Sequence, residues 1–297
     1  MIQVTGWLLR SASGLRVATS KIPPTGLVLL SIVSTQLGAA IAKSLFEQLG
    51  PVDTVFLRVF FAAIVLLCLW RPQFGSYTGN NYFIATLFGL VLAGMNLSFY
   101  CALQRLPLGI AVTIEFVGPL GVAVVASRRL LDLLWVTLAA VGILLLAPIG
   151  GGKLDPVGVL LAILAGSFWA AYIFLSARAG SVFPGGTGLA IAMSVAAILL
   201  LPVAVLNGGA ALLNPRLLTA GLGVALLSSA LPYSLELTAL RHLSARVFGV
   251  LLSLESTVAA LVGFLILGEK LELRAIIAIL LITVATVGVS RNRGGRV

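Results

Sequence analysis

The sequence predicts an all-α membrane protein with ten transmembrane helices arranged as two inverted five-helix repeats. Three observations carry that expectation: the composition, the spacing of apolar runs, and an internal repeat. Of the 297 residues, 60% are hydrophobic and only 9% charged, with a mean hydropathy of +1.15. A soluble domain carries about 25% charged residues, so this chain lacks the polar side chains to cover a water-facing surface.

A membrane-spanning helix needs about 20 mostly apolar residues. Ten stretches meet that length: 26–45, 54–70, 82–101, 107–126, 131–149, 157–176, 187–206, 217–237, 244–267 and 271–290. They are separated by turn-rich segments such as "WRPQFGSYTGNN", "GGKLDP", "FPGG" and "NGGAALLNPR", whose Gly, Pro and Asn residues suit chain reversal. No loop is long enough to form a domain. Residues 1–24 lack a long apolar core and read as a cytosolic tail rather than a signal peptide, and 291–297 read as a second cytosolic tail. With both termini inside, twelve Lys and Arg fall on the cytosolic side, six on the outer side and Arg58 within a helix. This is the bias expected for inner-membrane topology.

The repeat sets Glu115 in "VTIEFVGPLGVAVVASRRLLDLL" against Glu255 in "LLSLESTVAALVGFLILGEKLEL". The same register places Arg129 on Glu269 and Asp132 on Glu272. "YCALQRLP" matches "LTALRHLS", and helix one loosely matches helix six. The chain therefore divides at 25–150 and 156–290. Because five is odd, the halves cross the membrane in opposite senses, which is a transporter signature with its site at the interface; a duplication retained only for packing gives the same pattern.

Glu115 and Glu255 both lie deep in their expected helices, where a charged side chain costs about 2.5–3.5 kcal/mol on insertion scales. Such a group can hold a proton or a substrate ammonium, or lock into an interhelical hydrogen bond. Ala111, Pro119 and Ala123 share a stripe with Glu115, and Ala259 and Gly263 with Glu255. These small residues suit either a cavity or close packing. Arg58 can pair with Asp53, reach an interior glutamate, or hold a substrate carboxylate through its planar fork. Lys43 is, with Arg58, a natural counter-charge to the acidic residues, but its place near the outer end of helix one favours snorkelling to the headgroups.

Polar and aromatic residues add "STQ" (34–36), Asn96 and Tyr100 in "GMNLSFY", Tyr233 and Glu236 in "LPYSLE", and Trp169 and Tyr172 as an aromatic wall. Pro119 and Pro232 can break their helices and free backbone carbonyls beside a cavity. Cys68 and Cys101 read as small buried hydrophobes. A single histidine, His242, and no paired aspartates argue against a metal site or an intramembrane enzyme, and no ATP-binding motif is present. The net charge of +10 suits topology and anionic lipid; no module for nucleic acid accompanies it.

At these residues the sequence resembles the drug/metabolite transporter superfamily in its EamA-type, ten-helix form. Within it the chain is most similar to the bacterial threonine/homoserine exporters. The matching stretches are "GAAIAKSLF", "GMNLSFY", "PLGIAVTIEFVGPLGVAVVASRR", "LPYSLELTAL" and "FGVLLSLESTVAALVGFLILGE", and Ser256 stands where the family pattern has proline. The resemblance implies two inverted repeats around a central cavity and export of small neutral amino acids against proton entry; no cofactor is expected. Its partners would be an amino-acid substrate and membrane lipid, with a homodimer left open. Aromatic amino acids or drugs are the alternative substrates.

Overall fold

Prolines and short polar side chains start the helices where the sequence places its turns. The computed structural model describes residues 22–125, 134–135, 137–138, 141–142, 145, 154–208, 212–240, 242–243, 248, 251–252, 254–270 and 272–292. Most of the expected fifth helix and of the two tails lies outside these residues, as do the beginning of the expected ninth helix, Arg129 and Asp132. Helix α1 (Pro24–Ser44) begins with proline at its first position, where the missing N–H is no loss. Helices α2 (Phe46–Trp70) and α3 (Gly79–Leu103) follow. Helix α6 (Pro156–Val182) is capped by Asp155, which accepts from Val157 N at 2.8 Å and Gly158 N at 3.3 Å. Helix α7 is Thr187–Gly208, and α8 (Pro215–Ala225) is capped by Asn214.

Two expected spans are not continuous rods. The fourth is broken at Phe116 into α4 (Leu108–Glu115) and α5 (Val117–Val125). Pro119 lacks the N–H that would bond Glu115 O, so the helix cannot run straight through. The eighth opens after α8 into a π-helical turn, Leu226–Ala230, before α9 (Leu231–Leu240). The second span begins earlier than 54, because a short turn precedes Gly50 (φ 71°) and Pro51 starts the main rod. Helices α10 (Glu255–Leu267) and α11 (Leu273–Asn292) complete the described chain, with Gly268 closing α10 in the left-handed conformation.

All described elements are helical. Among the described residues, six stretches are long and apolar enough to cross a membrane: α1, α2, α3, α6, α7 and the rod from α8 to Glu236. Shorter apolar helices lie at Leu108–Pro119, Glu255–Leu267 and Leu273–Ala285. Leu90, Leu160, Ile198 and Leu265 are exposed on the outside of the bundle, a surface that suits lipid and would aggregate in water. Cys68 belongs to that surface; it is exposed rather than buried.

The main packing contacts join the two parts of the chain. Helix α3 lies along α6 and α7, α2 against α7, α1 against α9 and α10, and α4 against α10. Small residues make this possible. A Cβ on Gly109 would sit 2.6 Å from Ala260 Cα, and Ala111 and Ala259 are fully buried. Ala111 and Ala259, in the stripes beside Glu115 and Glu255, thus serve close packing.

Two ends of the bundle can be distinguished. Trp70, at the end of α2, packs over Gly185 and Gly186 in the α6–α7 turn. The turn between α1 and α2, beside Lys43, is at the opposite end of α2.

Candidate functional site

Four helices deliver charged groups to one buried region: Arg58 from α2, Glu115 from the end of α4, Glu236 from α9 and Glu255 from the start of α10. Glu115 lies within electrostatic reach of Glu255 and Arg58, and Glu255 within reach of Glu236 and Arg58. Tyr233 faces all four, and Tyr172 faces Tyr233 and Glu236. Two carboxyls, Glu115 and Glu255, therefore lie within reach of one guanidinium, and a third, Glu236, lies within reach of Glu255. If all were ionised, two negative charges would stand uncompensated, which a low-dielectric interior does not tolerate.

Helix α1 serves two of the carboxyls. Ser31 Oγ donates to Glu236 Oε1, and Gln36 Nε2 donates to Glu255 Oε1 at 2.9 Å. Gln36 is 2% exposed, and its Oε1 is buried with no partner. Glu115 shows no hydrogen bond from a side chain, and among the described residues it is the least restrained of the three.

Arg58 is anchored by α3 and the π turn. Its Nη1 donates to Tyr100 OH at 3.3 Å, Nε to Ser229 Oγ at 3.2 Å and Nη2 to Ser228 O at 3.1 Å. Its Cζ is 5.4 Å from the centroid of the Tyr100 ring, within cation–π range. The expected alternative of pairing with Asp53 is not realised: neither ion pair found among the described residues includes Arg58, and Asp53 Oδ1 is buried without a partner.

Asn96 and Trp169 have other contacts. Asn96 Nδ2 donates to Leu92 O in its own helix at 2.8 Å, and Trp169 meets Phe116 edge to face with centroids 4.8 Å apart. Tyr172 packs on Phe88. A cavity of about 160 Å³ runs from the α6–α7 turn inwards, past Gly185, Gly186 and Ser176 to Tyr172, Tyr233 and Glu236. Drug-sized ligands occupy pockets of about 300–1,000 Å³, so this space suits a much smaller molecule.

The other end of the bundle is tied by an ion pair. Lys43 Nζ is 2.7 Å from Glu269 Oε1 and donates to Leu106 O at 2.7 Å. Glu269 Oε2 accepts from Leu108 N at 2.8 Å. One ion pair thus joins α1, the α3–α4 turn and the end of α10. The snorkelling expected for Lys43 is replaced by this pairing, which leaves the side chain only 21% exposed. Nearby, Arg105 donates to Asp155 Oδ2 at 2.7 Å. That hydrogen bond holds the Asp155 carboxyl below the usual carboxylate range.

The sequence reading passed over Ser31, Ser228, Ser229 and the role of Glu269. Ser228 and Ser229 immediately precede "ALP" in an apolar span, and paired serines just ahead of a proline were the available signal.

Curated relatives match nearly the whole chain. The threonine/homoserine exporter RhtA of Salmonella typhimurium is 40% identical over 276 residues, covering 91% of this chain and 93% of its own. RhtA of Escherichia coli is 39% identical over 267 residues, covering 89% and 90%. The model of the EamA-like transporter family matches residues 156–291. The chain belongs to the EamA-like transporter family. One solved crystal structure, 17% identical, superposes with a TM-score of 0.62 over 91% of this chain and 99% of its own, which shows a shared fold. The charged cluster is therefore the interior of a multi-pass membrane transporter, not the active site of an enzyme. The cavity that reaches Glu236 lies on the α6–α7 side, and the Lys43–Glu269 ion pair ties the opposite end.

Proposed function

We propose that this transporter exports small neutral amino acids of the threonine/homoserine type across the inner membrane by proton antiport. The chain folds as ten helices in two inverted repeats, 25–150 and 156–290, with both termini in the cytoplasm. The names of the RhtA relatives support the substrate class, and the match over residues 156–291 supports the second repeat. The observation that carries the mechanism is the buried cluster of three carboxyls and one guanidinium, with Glu115 and Glu255 in reach of Arg58. An amino-acid zwitterion complements it, with its carboxylate on Arg58 and its ammonium against a glutamate. A proton supplies the same positive charge when the ammonium leaves, so the two compete for one site.

Glu115 is the exchange group in this reading, because Glu236 and Glu255 are already engaged by Ser31 and Gln36. With the termini inside, the α6–α7 turn faces the cytoplasm and the Lys43–Glu269 tie faces out. The cavity then receives substrate from the cytoplasm while the outer end stays closed. Its volume favours an amino acid over a drug-sized compound.

The test is uptake of labelled threonine and homoserine into inverted vesicles, with and without an imposed pH gradient. Glu115→Gln is expected to abolish gradient-driven uptake while the protein remains folded in the membrane. Wild-type, gradient-dependent uptake by that variant would overturn the assignment.

A further inference from the structure

The seat of Arg58 has an identifiable cause in the chain. In an uninterrupted α-helix, Ser228 O would accept from the N–H of residue 232. Residue 232 is proline, which has no N–H and whose ring crowds that carbonyl. The backbone responds by widening into the π turn, where Leu231 N reaches back to Leu226 O. Such turns often mark functional sites. Two carbonyls are thereby released towards the first half of the chain. Leu227 O is taken by Ser34 Oγ at 2.7 Å, and Ser228 O by Arg58 Nη2 at 3.1 Å.

The three Arg58 hydrogen bonds use one N–H on each guanidinium nitrogen. Arginine has five, so Nη1 and Nη2 each keep one, the number a carboxylate engages in a two-pronged pair. The long side chain would otherwise be free to swing towards Glu115 or Glu255, both within its electrostatic reach.

We propose that Pro232 is a positioning residue: by denying Ser228 O its helical partner, it keeps that carbonyl open as the seat that aims Arg58 at the substrate carboxylate. This rests on the reading of Arg58 given above. Pro232→Ala restores the N–H, lets it compete for Ser228 O and releases the guanidinium. Alanine favours a helix interior far more than proline does, so loss of transport would not arise from a weakened helix.

The experiment measures threonine KM and Vmax in inverted vesicles, together with protein abundance and thermal stability. Pro232→Ala is expected to raise KM about tenfold, the scale of one hydrogen bond to a charged group, with stability kept or raised. Ser34→Ala, which releases only Leu227 O, is expected to leave KM within about twofold, and Arg58→Lys to raise it at least as far as Pro232→Ala. In the double variant, Pro232→Ala should add nothing to Arg58→Lys, since residues acting as one unit are not additive. An unchanged KM in Pro232→Ala beside a raised KM in Arg58→Lys overturns the positioning role and leaves the Arg58 reading standing. An unchanged KM in Arg58→Lys overturns the Arg58 reading itself, and the positioning role with it. Equal losses in Ser34→Ala and Pro232→Ala would make the turn a structural seam only, and also overturn the proposal.

Discussion

Glu269→Gln tests whether the ion pair opposite the cavity holds one end of the transporter closed. The side chain keeps its shape, so Leu108 N retains an acceptor, but the charge facing Lys43 is lost. The pair is short, at 2.7 Å, and its side chains are only 21% and 12% exposed, so solvent screens it less than a surface pair. Hydrogen bonds to charged groups contribute about 1.5–3 kcal/mol. Partial exposure and the remaining Lys43–Leu106 bond argue for about 2 kcal/mol. At about 1.4 kcal/mol per factor of ten, the balance should move about 30-fold towards opening at that end. The assay is labelling with a membrane-impermeant maleimide of Tyr233→Cys, in a background lacking Cys68 and Cys101, with reagent applied from the Lys43 side. Both Glu269→Gln and Lys43→Ala should label about 30-fold faster than the parent, and the Lys43→Glu/Glu269→Lys exchange should recover part of the protection. Parent-like labelling in both single variants would refute the reasoning.

Three further outcomes are expected. Gly166→Ala places a Cβ 2.5 Å from Glu115 O and must push α6 from α4. Overpacking of this kind costs about 1–3 kcal/mol and should appear as a lower melting temperature in detergent together with reduced uptake. Tyr100→Phe keeps the ring under Arg58 but removes the hydroxyl at 3.3 Å. A loss of about 1 kcal/mol should raise threonine KM about fivefold with Vmax little changed. Asp155 titrates below its unfolded value, so its pairing with Arg105 stabilises the fold above about pH 4 and is lost as pH falls through the lowered value. Asp155→Asn should therefore melt below wild type at pH 7, and the gap should close as the melting series is carried below about pH 4.

Residue type and local spacing determined much of this protein. The apolar runs marked the long helices, because a segment in lipid must satisfy its own backbone hydrogen bonds. "DP", "NP" and "TGN" marked their beginnings, since capping depends on neighbours in sequence. Pro119 and Pro232 marked helix breaks for the same local reason. Glu115, Glu236, Glu255 and Arg58 stood out because charge inside an apolar run is costly wherever the helix is placed.

What those charges touch was decided by tertiary structure alone. Arg58 had Asp53 five residues away, yet its partners come from α3 and the π turn, 42 and about 170 residues distant. Lys43 looked like a headgroup anchor until α10 brought Glu269 to it across 226 residues. Helical spacing says which face a side chain occupies; it does not say which helix covers that face. That choice is made by glycines and alanines that let particular helices approach, and only the assembled bundle shows which carboxylates are held by α1.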